Sequence, residues 1–372
     1  MHKKKVVIIG NSLPPHVLNR LFLLSKSKNV SFFLFDTNLN SDIDVPIPRI
    51  RSAIPKILDL PKIGYLLKLF CSLSRLLSAK SGVIFIMYCS KLSLLYSIFY
   101  KGKVILSFWG GDLLNRTDKK KGYILRSIQK LAILKADKVY CVSKELIEEA
   151  NNVTDNKLMK APCLLMYGLD LKLYTFSSNE MKQKNEYFTI YSPRWCLPLY
   201  NIEVIIDAVI LLLQAGEKVR LIYRDVYIEE SDEAVQYSVM LANKIKHFDF
   251  GNNFQVVGLV EKYELVKIIQ SSDVVISVSH FDGTPLSILE AMACKTLTIS
   301  GKIPSTTNFI VHGVNGYLID KDSPEELAQQ LKYIIRHRNE QINIIENARL
   351  YVETHANIDR EVAEYVKVIN EI

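Results

Sequence analysis

Eleven short apolar runs, separated by longer helical patterns, constrain this chain more than any other feature. In the first half they are Val6–Ile9, Val30–Phe35, Val83–Tyr88, Val104–Phe108 and Val139–Val142. Later come Phe188–Tyr191, Val219–Tyr223, Phe254–Val257, Val274–Val278, Leu297–Ser300 and Tyr317–Ile319. Helical stretches such as Ile202–Gln214 and Glu261–Ser271 fall between them. This alternation predicts an α/β fold of parallel strands with crossover helices. Eleven strands are many for one such sheet, and 372 residues favour two domains. The polar stretch "SSNEMKQKNE" (Ser177–Glu186) is the best linker. We therefore expect two doubly wound, Rossmann-like domains, 1–176 and 187–355, with the active site in the cleft between the facing sheets. A last helical stretch, 356–372, is expected to pack back on the first domain.

Two segments invite a membrane reading. "MHKKKVVIIG" opens with bases, but its apolar run is only five residues, so we read a first strand and not a signal peptide. "SGVIFIMYCSKLSLLYSIFY" (Ser81–Tyr100) carries Lys91 at its middle, where charge is costly in lipid. A buried strand followed by a core helix is the better reading. The six cysteines lie far apart with no C-x-x-C pair, which suits reduced core thiols in a cytoplasmic protein.

Charge is unevenly placed. Residues 1–180 hold 28 Lys and Arg against 13 Asp and Glu, a balance of +15, while the remainder stands at 19 minus 26, or −7. Arg49 to Lys103 has ten bases and one acid, Asp59. "GYLLKLFCSLSRLL" (Gly64–Leu77) combines Leu and Phe with Lys68 and Arg75, a composition that suits a helix on an anionic bilayer. A core-facing helix with two exposed bases fits it almost as well. Neither zinc spacing nor an aromatic-and-basic ladder points to nucleic acid.

The chemistry concentrates in "SHFDGTPLSILEAMACKTLTIS" (Ser279–Ser300). Its middle ten residues, Pro285–Cys294, carry one charge, Glu290. Thr284 suits an N-cap and Pro285 the first helical position. Backbone N–H groups there favour a phosphate or sugar oxygen. Glu290 has helix neighbours Leu286, Ser287, Ala293 and Cys294, none charged, so its carboxylate needs donors from elsewhere. Sugar or ribose hydroxyls would serve. So would a Lys or Arg from another segment, with Asp282 a mere turn residue. On the chemistry alone the two readings are equal.

An acid, seven residues and then Glu, in "DGTPLSILEAMA", resembles the signature of the retaining two-domain (GT-B) glycosyltransferases of family four. The resemblance runs on through "TLTISGKIPSTTNFIVHGVNGYLID". It includes "SFWGGD" (Ser107–Asp112), "ADKVYCVSKEL", "YGLDLKLYTF" and "SPRWCLPLYNIEVIIDA" (Ser192–Ala208), in family order. It implies a glycosyltransferase that moves a sugar from a nucleotide sugar, UDP-linked, to a glycan or lipid-linked acceptor in surface polysaccharide synthesis. Glu290 would bind the ribose and Asp282 the donor sugar, with Gly283, Thr284, Pro285, Leu286 and Ser287 around them. Arg194 would neutralise the leaving diphosphate. His16, Trp109 and Asp112 would lie on the acceptor side. No obligatory metal and no other cofactor is implied. The expected location is cytoplasmic, peripheral on the membrane face.

Several positions depart from the family pattern. The first signature acid is usually Glu, one methylene longer than Asp282. The Lys usually found five or six residues after the Arg is replaced by Leu199 or Tyr200, so Arg194 stands as the main cation for the phosphates. Lys295 replaces a Gly, Asn308 replaces an acid, and the Gly-rich turn after the second strand reads "YRDVY". A non-catalytic scaffold of the same fold in a polysaccharide-assembly complex is therefore a second hypothesis. A nicotinamide-dependent oxidoreductase is a third, and fares badly: "VVIIGNSLPPHVLNR" has one Gly and no G-x-G-x-x-G.

Overall fold

The computed structural model describes residues 4–10, 15–36, 82–87, 89–114, 119–158, 160–176, 186–225 and 232–372. The stretch Gly64–Leu77, and all but Glu186 of the expected linker, lie outside these residues.

All eleven expected strands are present. They are β1 (Lys4–Gly10), β2 (Val30–Asp36), β3 (Val83–Met87), β4 (Lys103–Phe108) and β5 (Lys138–Cys141) in the first half. A further strand, β6 (Cys163–Leu164), has only two residues, too few to leave a pattern in the sequence. Next come β7 (Phe188–Ser192), β8 (Val219–Arg224), β9 (Phe254–Val257), β10 (Val274–Ser277), β11 (Leu297–Gly301) and β12 (Tyr317–Ile319). They form two six-stranded sheets, ordered β2-β1-β3-β4-β5-β6 and β12-β11-β10-β7-β8-β9. Every pairing is parallel. The central strands are buried along most of their length, because helices cover both faces of a parallel sheet. Ser81–Tyr100 resolves into β3 and the Lys91–Phe99 helix. Among the described residues no helix is long and apolar enough to cross a membrane.

Two compact units emerge: Met1–Tyr167 with Ile358–Ile372, and Gly168–Asn357. The division falls at Tyr167, ahead of the polar stretch. Residues 168–176 bond to the second unit: Leu169 N–H donates to Ala356 O at 2.7 Å, and Gln270 Nε2 donates to Thr175 O at 2.8 Å.

In the first unit, the Ile358–Glu371 helix buries Ile358, Val362, Tyr365, Val368 and Ile369 against β1–β3 and the Pro15–Ser25 helix. It also carries a charge inside. Arg20 Nε and Nη2 donate to the two Glu361 oxygens at 2.9 and 2.5 Å, both side chains being almost fully buried. Tyr365 Oη donates to Glu361 at 2.8 Å and lies 3.2 Å from Ser107 Oγ. The Arg20 guanidinium rests over the Tyr167 ring at 3.9 Å and near Trp109 at 5.2 Å. A buried ion pair survives when its remaining donors and acceptors are met in this way.

The second unit is organised around the Ile202–Gln214 helix. Its Ile202, Ile205, Ile206 and Val209 meet β7, β8 and Leu327 and Leu331 of the Pro324–Arg336 helix in one core.

Candidate active site

Side chains with chemistry gather at the carboxyl ends of β7, β8 and β10 in the second unit, where ligands bind in doubly wound sheets. β7 ends at Ser192 and leads to Arg194. The loop after β10 carries Asp282. Arg194 Nη2 lies 2.8 Å from Asp282 Oδ2, with the side chains 20% and 12% exposed. Burial pushes the Asp282 carboxyl above its ordinary range, against Arg194 and the Gly283 N–H, which favour the charged form. Tyr200 stands where the resemblance would place a Lys, and its ring lies 4.1 Å from the Arg194 guanidinium. Neighbouring Leu199 accepts the His280 N–H at 2.9 Å, which ties this loop to the one bearing Asp282.

The helix after this turn is Leu286–Ala293. Here the structure corrects the expected cap. Pro285 is the N-cap and not the first helical residue, because its ψ of 86° is not helical, and no side chain of Thr284 or any other residue caps the end. The Pro285 carbonyl accepts the first helical bond, from Ile288 N–H at 2.9 Å. At the helix's other end Lys295 takes φ 52°, in the left-handed region. A glycine at that position, as the family pattern has, costs nothing there, whereas Lys carries strain. The Lys295 side chain is held by Glu346 at 2.8 Å and lies 4.2 Å from the Phe176 ring.

Glu290, with a side chain 13% exposed, receives its donors from other segments. The Tyr174 hydroxyl donates to Glu290 Oε1, and Lys262 Nζ lies 3.8 Å away, itself 5.2 Å from the Tyr174 ring. Burial pushes the carboxyl up, opposed first by Lys262, then by Tyr174, Arg194 and Arg224. Lys262 is the cation at this carboxylate, and Arg194 and Arg224 bear on it electrostatically from farther away. None is a neighbour on its helix, so the donors that the sequence left unnamed are partly the protein's own.

Arg224, the last residue of β8, is 7% exposed, and its guanidinium stacks on the Trp195 ring at 3.7 Å. Sequence reasoning passed over Tyr174, Arg224 and Lys262. The one available signal was Arg224 itself, a charge at the carboxyl end of an apolar strand. Among the described residues, the buried Ser192 Oγ, Ser287 Oγ, Arg194 Nε and Arg224 Nε and Nη2 have no hydrogen-bond partner. Buried donors left unmet are costly, so this concentration at one sheet end suits a polar, anionic ligand.

The residues expected on the acceptor side lie in the first unit. The Asp112 carboxylate is occupied by backbone donors: Trp109 N–H at 2.9 and 3.1 Å, Gly110 N–H at 2.8 Å and Cys89 N–H at 3.0 Å. It pins the turn after β4 to the segment after β3. Burial outweighs these donors and pushes its carboxyl up to about 6. Trp109 Nε1 donates to Ser107 Oγ at 2.9 Å, and its ring meets Tyr167 edge-on. His16 belongs to the Pro15–Ser25 helix, but its side chain lies outside the described residues.

Known proteins resemble this chain in sequence and in fold. Residues 175–351 match the glycosyl transferases group 1 family. The chain is 24% identical over 253 residues to the uncharacterized glycosyltransferase MJ1069 of Methanocaldococcus jannaschii, which takes in 66% of this chain and 62% of that protein. The match thus spans less than two thirds of that relative's length. Among solved structures, Anabaena HepE, crystallised with UDP, superposes with TM-score 0.75 at 15% identity, covering 99% of this chain and 100% of that one. Sucrose-phosphate synthase from Thermosynechococcus elongatus gives TM-score 0.76 at 16% identity, covering 99% of both chains. At such identities the likeness is one of fold, the two-domain α/β GT-B architecture.

Proposed function

We propose that the protein is a retaining glycosyltransferase that uses a nucleoside diphosphate sugar, UDP-linked, and a glycan or lipid-linked acceptor in surface polysaccharide synthesis. One observation carries the reading: buried, unspent donors of Arg194, Arg224, Ser192 and Ser287 occur in the same unit as the buried carboxylates Asp282 and Glu290, near the carboxyl ends of its strands. That set fits a ligand with both an anion and hydroxyls. The group 1 match over the same residues supports it.

In this reading the bond from the sugar C1 to the diphosphate oxygen breaks, and the acceptor oxygen bonds C1 on the same face. The acceptor proton passes to the departing diphosphate oxygen. Negative charge grows on that diphosphate as the bond breaks, and Arg194 stabilises it. Cationic side chains thus do what a metal ion does elsewhere. Asp282 orients the sugar and Glu290 the ribose. The Tyr174 bond fixes one Glu290 oxygen and leaves the other for a hydroxyl.

We also place the protein against an anionic membrane surface. The Lys119–Lys135 helix has six bases and no acid, and exposes Tyr123, Ile124, Leu131 and Leu134. At 100° per residue these four share one face, the arrangement of a surface-lying helix.

Calorimetry and thermal shift with UDP, GDP and their sugars test the reading, followed by transfer assays in which NMR reads the anomeric configuration of the product. Binding of a nucleotide sugar and a product of retained configuration are expected. Absence of binding to either nucleotide sinks the donor assignment. Binding without turnover over a broad acceptor panel favours the scaffold hypothesis.

A further inference from the structure

We propose that Arg224 is a second cation for the donor diphosphate, supplied by β8 where the loop after β7 has Leu199 and Tyr200 in place of a Lys. The inference rests on the nucleotide-sugar reading above and goes beyond it by naming a further phosphate ligand.

Position comes first. β7 and β8 are paired with Ser192 opposite Tyr223. Arg224 follows Tyr223 directly, and Arg194 follows Ser192 by two residues. The two guanidinium groups therefore leave the carboxyl ends of adjacent strands on the ligand side of the sheet. Both bear electrostatically on Glu290 without pairing with it.

The state of the side chain comes second. Arg224 is only 7% exposed as a residue, so its charged side chain has lost most of its water. Among the described residues no carboxylate lies within ion-pair distance of it; the cation closest to Glu290 is Lys262, at 3.8 Å. The buried Tyr191 hydroxyl adjoins the guanidinium, but Nε and Nη2 form no well-aligned hydrogen bond with it or with any other described group. A desolvated cation with unmet donors is costly in the empty protein and becomes favourable when an anion arrives.

The mode of support comes third. Trp195 holds the guanidinium by its face, at 3.7 Å. Stacking satisfies the flat side of the group and leaves the N–H donors in its plane for oxygen atoms. Nε and one Nη are the pair that grips two oxygens of a phosphate side by side. Tyr200 supports Arg194 in the same manner, at 4.1 Å. Two arginines, each backed by an aromatic ring, form a cradle for two phosphates. The residue identities at 199 and 200 then cease to be a deficit: one position became the ring that backs Arg194, and the missing charge comes from the neighbouring strand.

Calorimetry of the wild type, Arg224→Gln and Arg224→Lys with UDP, uridine and inorganic pyrophosphate tests the proposal, each variant first shown to melt cooperatively. We expect Arg224→Gln to weaken UDP and pyrophosphate roughly tenfold to a hundredfold, the worth of a charge-assisted hydrogen bond at a desolvated site. Uridine affinity should stay unchanged, and Arg224→Lys should recover part of the pyrophosphate affinity. Wild-type UDP affinity in Arg224→Gln overturns the proposal and leaves the donor reading standing. Equal losses for UDP and uridine also overturn it, because they assign Arg224 to the nucleoside pocket. If the wild type binds neither UDP, GDP nor pyrophosphate, the donor reading fails and this inference fails with it.

Discussion

Arg194 and Asp282, 88 positions apart in the chain, form an ion pair of 2.8 Å beside the turn that leads into the Leu286–Ala293 helix. The pair joins the two residues to which the donor reading gives the sugar and the leaving group. It also holds each charge in place before a ligand arrives, which is the preorganisation that electrostatic catalysis needs.

Arg194→Ala should therefore cut turnover by roughly a hundredfold or more, while nucleotide-sugar affinity falls much less, because the charge it serves grows only in the transition state. Steady-state kinetics against donor binding checks this. An unchanged turnover number would show that Arg194 does not serve the diphosphate in the transition state.

The two acids should separate. Glu290→Gln is expected to weaken free UDP and the complete donor alike, roughly tenfold to a hundredfold. Asp282→Asn should leave free UDP nearly intact and impair transfer, since only the sugar loses its position. Tyr174→Phe should follow Glu290→Gln, and the double variant should lose little more than either single one. Equal loss of free UDP in the Glu290 and Asp282 variants would end this division of labour. A fall in stability with unchanged affinity in Glu290→Gln would make that carboxylate structural.

The buried pair in the first unit gives a stability test. Arg20→Met leaves Glu361 buried without its cation, and should destabilise the protein by about 3–5 kcal/mol. Adding Glu361→Met should restore part of that loss, because no unpaired charge remains. Urea melts of the three proteins decide it. A single variant as stable as wild type would mean that water reaches Glu361.

Asp112 sets a pH dependence. Its folded carboxyl is raised from 3.8 to about 6, so the folded state holds the proton more tightly than the unfolded chain. The sign follows: this contribution is full below the unfolded value and is lost as pH rises through about 6. The stability advantage of wild type over Asp112→Asn should therefore shrink between pH 4 and pH 7. Melting temperatures across that range are the readout, and an advantage that grows with pH contradicts the assignment.

Attachment to membranes should be electrostatic and should use the exposed face of the Lys119–Lys135 helix. Paired substitution of Ile124 and Leu131 by Glu should abolish sedimentation with anionic vesicles, and added salt should weaken wild-type binding. Equal partition onto neutral and anionic vesicles rules out this origin.

The strands were legible because each is a local run of apolar residues; only Cys163–Leu164, two residues long, left no pattern. The Asp282–Glu290 spacing was legible for the same reason, being set by one turn and one helix. The strain at Lys295 could be suspected from a glycine pattern, but its left-handed φ belongs to the folded chain. The cap at Pro285 was misread, because a proline's φ suits a helix whatever its ψ turns out to be. What surrounds the acids was not legible at all. Tyr174 and Lys262 reach Glu290 from two separate segments, and Arg194 and Arg224, after the ends of two strands, bear on it electrostatically. Their arrangement depends on which strands become neighbours. Periodicity along the chain reports how each element buries its own apolar side, and carries no record of which polar ends that burial will bring together.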